Sequence, residues 1–472
     1  MTWQQEVAQL LGGDAVLAGP IAERAYDADA YTVDRSQPTL VVLPSSTDQV
    51  VELIRICARH GVPFTTRGAG TGLSGGATPA LGGLVISTKR LNKISEIEVG
   101  ERMLRAGAGV VNVAITQAVA QAGLHFAPDP SSQSVATLGG NIGENSGGPH
   151  TLKYGVTAAH ILGLTLVDDH GDVHEFAPHR NPPWPDFAQA VIGSEGTVGV
   201  VTEAWCNLEP SAPYVQTGLI SFASVRQATD FISAVIADGV VPAALEMMDR
   251  NILFALREAF GLSYPAGTEA LLLVEFDGDD AQAVQSTMQA VAQLASRFEA
   301  IAVEMATNED ERKKLWTARK KGVGAMGRLA PSIVTHDGVI PRSRLPEMLE
   351  LVYQVAEERG IGVANIFHAG DGNLHPCFYF DDRDPEQVRA VVEAGEIILR
   401  KCVELGGSLT GEHGIGFEKS DLLGLQFSDD DLALQRDIQA IFCGSSNSNP
   451  CKVLPLGKGC SEHRSRWRGS AW

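Results

Sequence analysis

The chain has 472 residues, enough for two or three domains at about 150 residues each, which excludes a peptide-sized scaffold. Its 37 Lys and Arg stand against 57 Asp and Glu, and the resulting charge of −20 repels polyanions and disfavours nucleic-acid binding. With 44% hydrophobic and 20% charged residues, and no apolar run near the roughly 18 residues that span a bilayer, the composition is that of a globular protein.

The opening MTWQQEVAQLLGGD has neither a basic leader nor a sustained apolar core. It predicts a mature helix rather than a signal peptide, and with it a cytoplasmic location, any membrane contact being made through partners. LVVL at 40–43 predicts a buried strand. The stretch SSTDQVVELIRICARHG predicts a helix with a capping-box spacing from Ser46 to Gln49 and Gly61 as terminator. VPFTT and GGLVIST add strands on either side of RGAGTGLSGGA, giving a β–α–β opening.

A helical stretch from 110 ends at Gly123, and PDPSSQSVATLGGNIGENSGG then shows neither helical nor strand periodicity, which predicts a long functional loop. ILGLTLVDDHGDVHEF reads as a hairpin about its Asp-His-Gly turn. Near residue 212 the pattern changes. Strands such as GTEALLLVEFDG alternate with amphipathic helices around 224–238 and 280–297, predicting a second α+β domain. The expected division is 1–212, 213–410 and a C-terminal segment 411–472. That segment, with a helix near 429–442, is too short for its own core and is expected to pack back on the first domain. Seven scattered cysteines without a CxxC spacing argue against a disulfide framework or a resident iron–sulfur cluster, so any electron chain must leave this polypeptide.

Glycine is the informative excess. Residues 65–77 carry Gly68, Gly70, Gly72, Gly75 and Gly76 directly after a strand, and such a loop turns its amides toward an anion without Cβ obstruction. No helix follows, so this is not a Rossmann fingerprint. A second glycine-rich stretch, GGNIGENSGG at 139–148, adds Asn141, Asn145 and Ser146, and two such loops suit one extended diphosphate cofactor.

RGAGTGLSGG, PDPSSQSVATLGGNIGENSGG and GSEGTVGVVTEA resemble the FAD-binding domain of the vanillyl-alcohol oxidase / p-cresol methylhydroxylase superfamily over roughly residues 38–212. The resemblance implies an α+β fold: a two-subdomain FAD-binding domain of the p-cresol methylhydroxylase type plus an α+β substrate (cap) domain. It assigns Arg67, Gly68, Ala69, Gly70, Thr71, Gly72, Ser74 and Gly75 to the pyrophosphate. Pro128, Asp129, Pro130 and Ser131, with Thr137, Gly140, Asn141, Asn145 and Ser146, fall to the ribityl and isoalloxazine side, and Gly196 and Val200 to the adenosine side. Residues 65–77 contain neither His nor Cys, so non-covalent FAD is expected.

NIFHAGDGNLHP places His368 and His375 about a glycine-punctuated turn, and GEHGIG places Glu412 beside His413. Two imidazoles and one carboxylate suit a divalent Zn, Mn or Fe ion with positions left open for substrate. The pairing of these motifs is similar to the D-2-hydroxyacid branch of the superfamily, and WTARKKG, HDGVIPRSRLPEML and VANIFHAGDGNLHP bring it nearest to the glycolate oxidase FAD subunits. That resemblance implies Arg319 as the group that binds the substrate carboxylate, although Lys320 and Lys321 beside it also suit a solvated helix face. It implies His413 as the base, with His368, His375 and Glu412 on the metal.

The approach to Asp337, SIVTH, lacks the lysine of hydroxyglutarate-type relatives, which favours a small monocarboxylate. The expected activity is oxidation of glycolate or D-lactate to the 2-oxo acid, with hydride passing to flavin N5 and electrons to a separate iron–sulfur or other electron-accepting subunit. The alternatives are a D-2-hydroxyglutarate dehydrogenase, or a flavin subunit active only within a multi-subunit complex. The tail IFCGSSNSNPCKVLP keeps the Asn449, Pro450 and Lys452 of relatives, with Asn449 as a cofactor contact, but has Cys451 where glycine is usual. The missing glycine is expected to loosen flavin binding, and Cys443, Cys451 and Cys460, whose spacing fits no metal-ligand pattern, predict an aberrant or exposed tail.

Overall fold

The computed structural model describes residues 1–79, 82–182, 184–444 and 447–455. Contacts divide the chain into one unit formed by 1–147, 156–211 and the chain from 412 onward, and a second formed by 148–155 and 212–411. Among the described residues no helix is long and apolar enough to cross a membrane.

In the first unit, strands Leu40–Val42, Leu84–Ser87 and Phe64–Arg67 pair in parallel, as the β–α–β reading expects, and Val16–Leu17 adds an antiparallel edge. Helix Thr47–His60 starts where the Ser46 side chain accepts from the Gln49 amide and ends at Gly61 in the left-handed conformation. The Gln49 side chain reaches one residue further back than a capping box requires, accepting from the Ser45 amide at 2.8 Å. Val50, Leu53, Ile54 and Cys57 recur along one side of this helix and are buried with Leu40, Val42, Phe64, Leu84 and Ile86. A second sheet runs Ile94–Glu98, Met103–Gly107, Val200–Asn207, Ile161–Val167, Val173–Phe176, the last two being the expected hairpin.

Two expectations are corrected here. The second glycine stretch is not all loop: Leu138–Glu144 is a helix, capped by the Thr137 side chain on the Gly140 amide. Three glycines in seven residues lower helix propensity and blur the period, but Leu138, Asn141 and Ile142 still form a buried side. Nor is the described tail exposed. The Phe64 amide donates to the Asn447 carbonyl and the Asn449 amide to the Phe64 carbonyl, so the tail continues the sheet edge, and Cys443, Asn449 and Lys452 are buried. The chain beyond 455, including Cys460, lies outside the described residues.

The second unit is built on an antiparallel sheet whose central strands are Tyr214–Phe222, Ala270–Gly278, Ala244–Asp249 and Gly362–His368. The stretch 148–155, expected in the first domain, groups with this unit. His150 contacts Glu275 at 3.1 Å and stacks on Trp316, while Lys153 and Tyr154 both bond to the Asp277 carboxylate. Helix Glu309–Ala325 buries Leu315, Trp316, Ala318, Arg319, Gly322 and Ala325. A Cβ on Gly322 would fall 2.4 Å from Ile366 Cδ1, so this helix lies closely against strand Gly362–His368.

Candidate functional site

In the first unit the two glycine stretches meet. A Cβ built on Gly68 would stand 2.3 Å from Thr137 Oγ1, so the first loop lies directly on the cap of helix Leu138–Glu144. Ala69 is exposed, and Gly70, Thr71 and Gly72 are half-buried beside it. Arg67 is buried, donates to the Ala28 carbonyl at 2.8 Å and lies over the Tyr26 ring. Thr66 Oγ1 and Asn141 Nδ2 are buried side-chain atoms with no hydrogen-bond partner in the protein. A glycine-rich loop near unmatched buried polar groups is what a polar, anionic cofactor such as FAD would complete.

The remaining residues assigned to FAD fall in different settings. The Pro128 carbonyl accepts from Asn112 Nδ2 and the Pro130 carbonyl from the Gln133 amide, while Asp129 is half-buried and Ser131 exposed. Gly140 is half-buried in the first turn of its helix. Asn145 caps the helix end in the left-handed region, its Oδ1 accepting from the Ala158 amide, and the Ser146 carbonyl accepts from Thr157. A Cβ on Gly196 would lie 3.7 Å from Thr66 Cβ, so those two are neighbours. Val200 is apart from them, wholly buried in the core.

The GEHGIG loop is fixed by residues of this same unit. Ser74, fully buried, donates its hydroxyl to the His413 carbonyl at 2.9 Å, and its own carbonyl accepts from the Phe417 and Glu418 amides. Glu195 accepts from the Ile415 amide at 2.6 Å and the Gly416 amide at 2.8 Å. Asn449 Nδ2 donates to the Gly76 and Glu195 carbonyls, and Lys452 donates to Asn449 Oδ1 at 2.7 Å. Burial pushes the Glu195 carboxyl up to about 7 and the Lys452 ammonium down to about 7, and raises Glu144 as well, with the Glu195 charge adding to the effect. Sequence reading passed over Glu144 and Glu195, which stand more than fifty residues apart.

In the second unit the sheet register does the placing. Glu246 is the direct cross-strand partner of His368, and both are buried. Glu246 Oε1 lies 2.7 Å from His368 Nδ1, and Oε2 accepts from Arg319 Nε. Arg319 is only 4% exposed, whereas Lys320 and Lys321 face solvent, so the solvated-face alternative does not describe Arg319. Although burial opposes ionisation of Glu246, His368 and Arg319 hold its carboxyl down at about 2.

The AGDGN turn brings Asn373 opposite His368, and the His368 and His375 rings come to 5.0 Å between centroids, nearly perpendicular. Asp337 lies 3.5 Å from His375 Nε2 and accepts from the Thr410 hydroxyl and the Gly411 amide. The chain is thus held immediately before Glu412. Two buried imidazoles turned toward each other, one already oriented by a carboxylate, form a donor set suited to a divalent ion.

Residues 212–453 match the family described as FAD linked oxidases, C-terminal domain, and residues 38–177 match an FAD binding domain. The chain is 40% identical over 438 residues to glycolate oxidase subunit GlcD of Escherichia coli K12, covering 93% of this chain and 88% of that one. It is 33% identical to GlcD of Bacillus subtilis, covering 96% of each, and 30% identical to a D-lactate dehydrogenase of Archaeoglobus fulgidus, covering 92% and 97%. Among solved structures, 4-ethylphenol oxidase from Gulosibacter chungangensis superposes with a TM-score of 0.80 over 97% of each chain at 16% identity, a likeness of fold.

Proposed function

The chain belongs to the FAD-linked oxidases, and from that premise we propose that it oxidises a small 2-hydroxy acid, glycolate or D-lactate, to the 2-oxo acid. The observation that carries this reading is Arg319. It is a guanidinium buried to 4% exposure and bonded to the same carboxylate as His368, in a chain whose relatives are named for glycolate and D-lactate. A cation kept out of water and oriented by Glu246 is suited to bind a carboxylate by paired hydrogen bonds.

The chemical difficulty is to remove a hydroxyl proton of very high pKa together with hydride from the adjacent carbon. Arg319 fixes the carboxylate and so orients the hydroxyl. His413, its backbone held by Ser74, takes the hydroxyl proton. FAD, bound non-covalently at the glycine loops, supplies the two-electron acceptor. His368 and His375, joined by Glu412 on the evidence of its motif, would hold a Zn, Mn or Fe ion whose charge favours the deprotonated hydroxyl. Electrons leave for a separate acceptor subunit, a reading supported by the naming of the GlcD relatives as subunits and by the absence of a CxxC spacing in this chain.

Anaerobic mixing of the yellow protein with a panel of D- and L-2-hydroxy acids tests this. Bleaching by glycolate or D-lactate, and much less by D-2-hydroxyglutarate, is expected. A flavin that none of the small hydroxy acids reduces would overturn the reading.

A further inference from the structure

We propose that Glu246 is the positioning residue of the substrate-side machinery, setting with one carboxylate both the arginine that receives the substrate and one of the histidines that receives the metal. This rests on the roles of Arg319 and His368 proposed above.

The argument begins with the strand. In Ala244–Asp249 every residue is buried, and among apolar neighbours a carboxylate is unfavourable unless its charge is matched. Both oxygens of Glu246 are engaged, and by different partners: Oε1 with His368 Nδ1, Oε2 with Arg319 Nε. These partners lie 122 and 73 residues away in sequence and on different elements. One is brought by sheet register, the other by a helix whose Gly322 lies against Ile366 of the same strand as His368.

Each bond has a directional consequence. Glu246 Oε1 engages His368 Nδ1 at 2.7 Å, so the ring is set with Nε2 as the nitrogen it would turn to a metal. The guanidinium is rigid and planar, so a bond at Nε fixes the plane and the direction in which its terminal nitrogens point. Glu275, one strand away, differs instructively. It also sits fully in the sheet, but accepts from Arg312 and Trp316 and contacts His150, none of which carries a proposed role in the chemistry.

The test uses the full-length FAD-loaded protein with Glu246→Gln, which keeps the shape and removes the charge, and Glu246→Asp, which keeps the charge and shortens the reach. Metal retained after dialysis is measured by mass spectrometry and Zn²⁺ affinity by titration, alongside separate kcat and KM values, flavin content and melting temperature. Glu246→Gln is expected to keep its flavin, to lose at least tenfold in Zn²⁺ affinity, and to raise KM for the hydroxy acid about tenfold. Glu246→Asp is expected to recover part of both. Zn²⁺ affinity and KM within twofold of the parent in Glu246→Gln would overturn the proposal, and if that variant fails to fold, the same limits applied to Glu246→Asp decide it. His368→Ala and Arg319→Lys separate this from the underlying reading. If His368→Ala binds Zn²⁺ normally, or Arg319→Lys leaves KM unchanged, the assigned roles fail. If those controls lose their functions while Glu246→Gln keeps both, Glu246 alone is misassigned.

Discussion

Ser74 in the first glycine loop donates its hydroxyl to the backbone carbonyl of His413 at 2.9 Å, across 339 residues of sequence. The loop that resembles a pyrophosphate cradle therefore also holds the residue proposed as the base. Ser74→Ala should lower stability by about 1 kcal/mol, the usual worth of one buried hydrogen bond. It should also slow flavin reduction while leaving metal content unchanged. Thermal melts and stopped-flow reduction check the two effects separately.

His413 and Glu412 are neighbours with different assigned work. His413→Asn should retain metal and FAD yet reduce its flavin roughly 10²-fold more slowly or worse, the scale of general-base loss. Glu412→Gln should instead weaken metal binding and regain part of its activity in excess metal. A metal-replete His413→Asn variant reducing within a few-fold of the parent removes that histidine from the chemistry.

Gly414 follows His413 at φ 84°, and a Cβ there would stand 2.3 Å from Glu144 Oε2 and 2.7 Å from Glu195 Oε1. Gly414→Ala should therefore destabilise the first unit by more than about 1 kcal/mol through strain and collision together. Gly424→Ala, where a Cβ meets nothing within 4 Å, serves as the matched control and should move the melting temperature little.

Flavin attachment is tested by acid or heat precipitation. With no His or Cys in residues 65–77, the yellow colour should pass into the supernatant. Colour retained in the pellet after washing under denaturing conditions would contradict non-covalent binding.

The second unit should be sensitive to acid through Glu275. Burial works to raise its pKa, but the bonds to His150 and Arg312 outweigh it and hold the carboxyl well below its ordinary 4.5. A folded-state pKa below the unfolded one gives stability that is full above pH 4.5 and lost as the pH falls below it. Melting temperatures between pH 6 and 3 should fall steeply for the parent and more gently for Glu275→Gln, which starts lower.

What the sequence disclosed followed the range of its physical signals. Helix Thr47–His60 was readable because its start, its stop and its apolar period are all local. Helix Leu138–Glu144 was hidden because the glycines that line its stretch suppress both propensity and pattern. His368, His375 and Glu412–His413 were conspicuous as clustered chemistry, whereas Glu195 and Glu246 stand alone and act on residues 220 and 122 positions away. One signal for the latter was present: an acidic residue inside an apolar run, as in ALEMMD and LLLVEFDG, marks a buried charge that must find its partner elsewhere.

The lodging of residues 148–155 on the second unit bears on how such proteins can be recombined. A fragment cut as 212–411 would take Glu275 and Asp277 without His150, Lys153 and Tyr154, leaving Glu275 with fewer donors and Asp277 with neither of these two. Exchanging the second unit between relatives therefore calls for two inserts rather than one, the second being a short piece carried inside the flavin-binding sequence. Variation at His150 and Tyr154 should be inherited together with variation at Glu275 and Asp277, whichever flavin domain surrounds them.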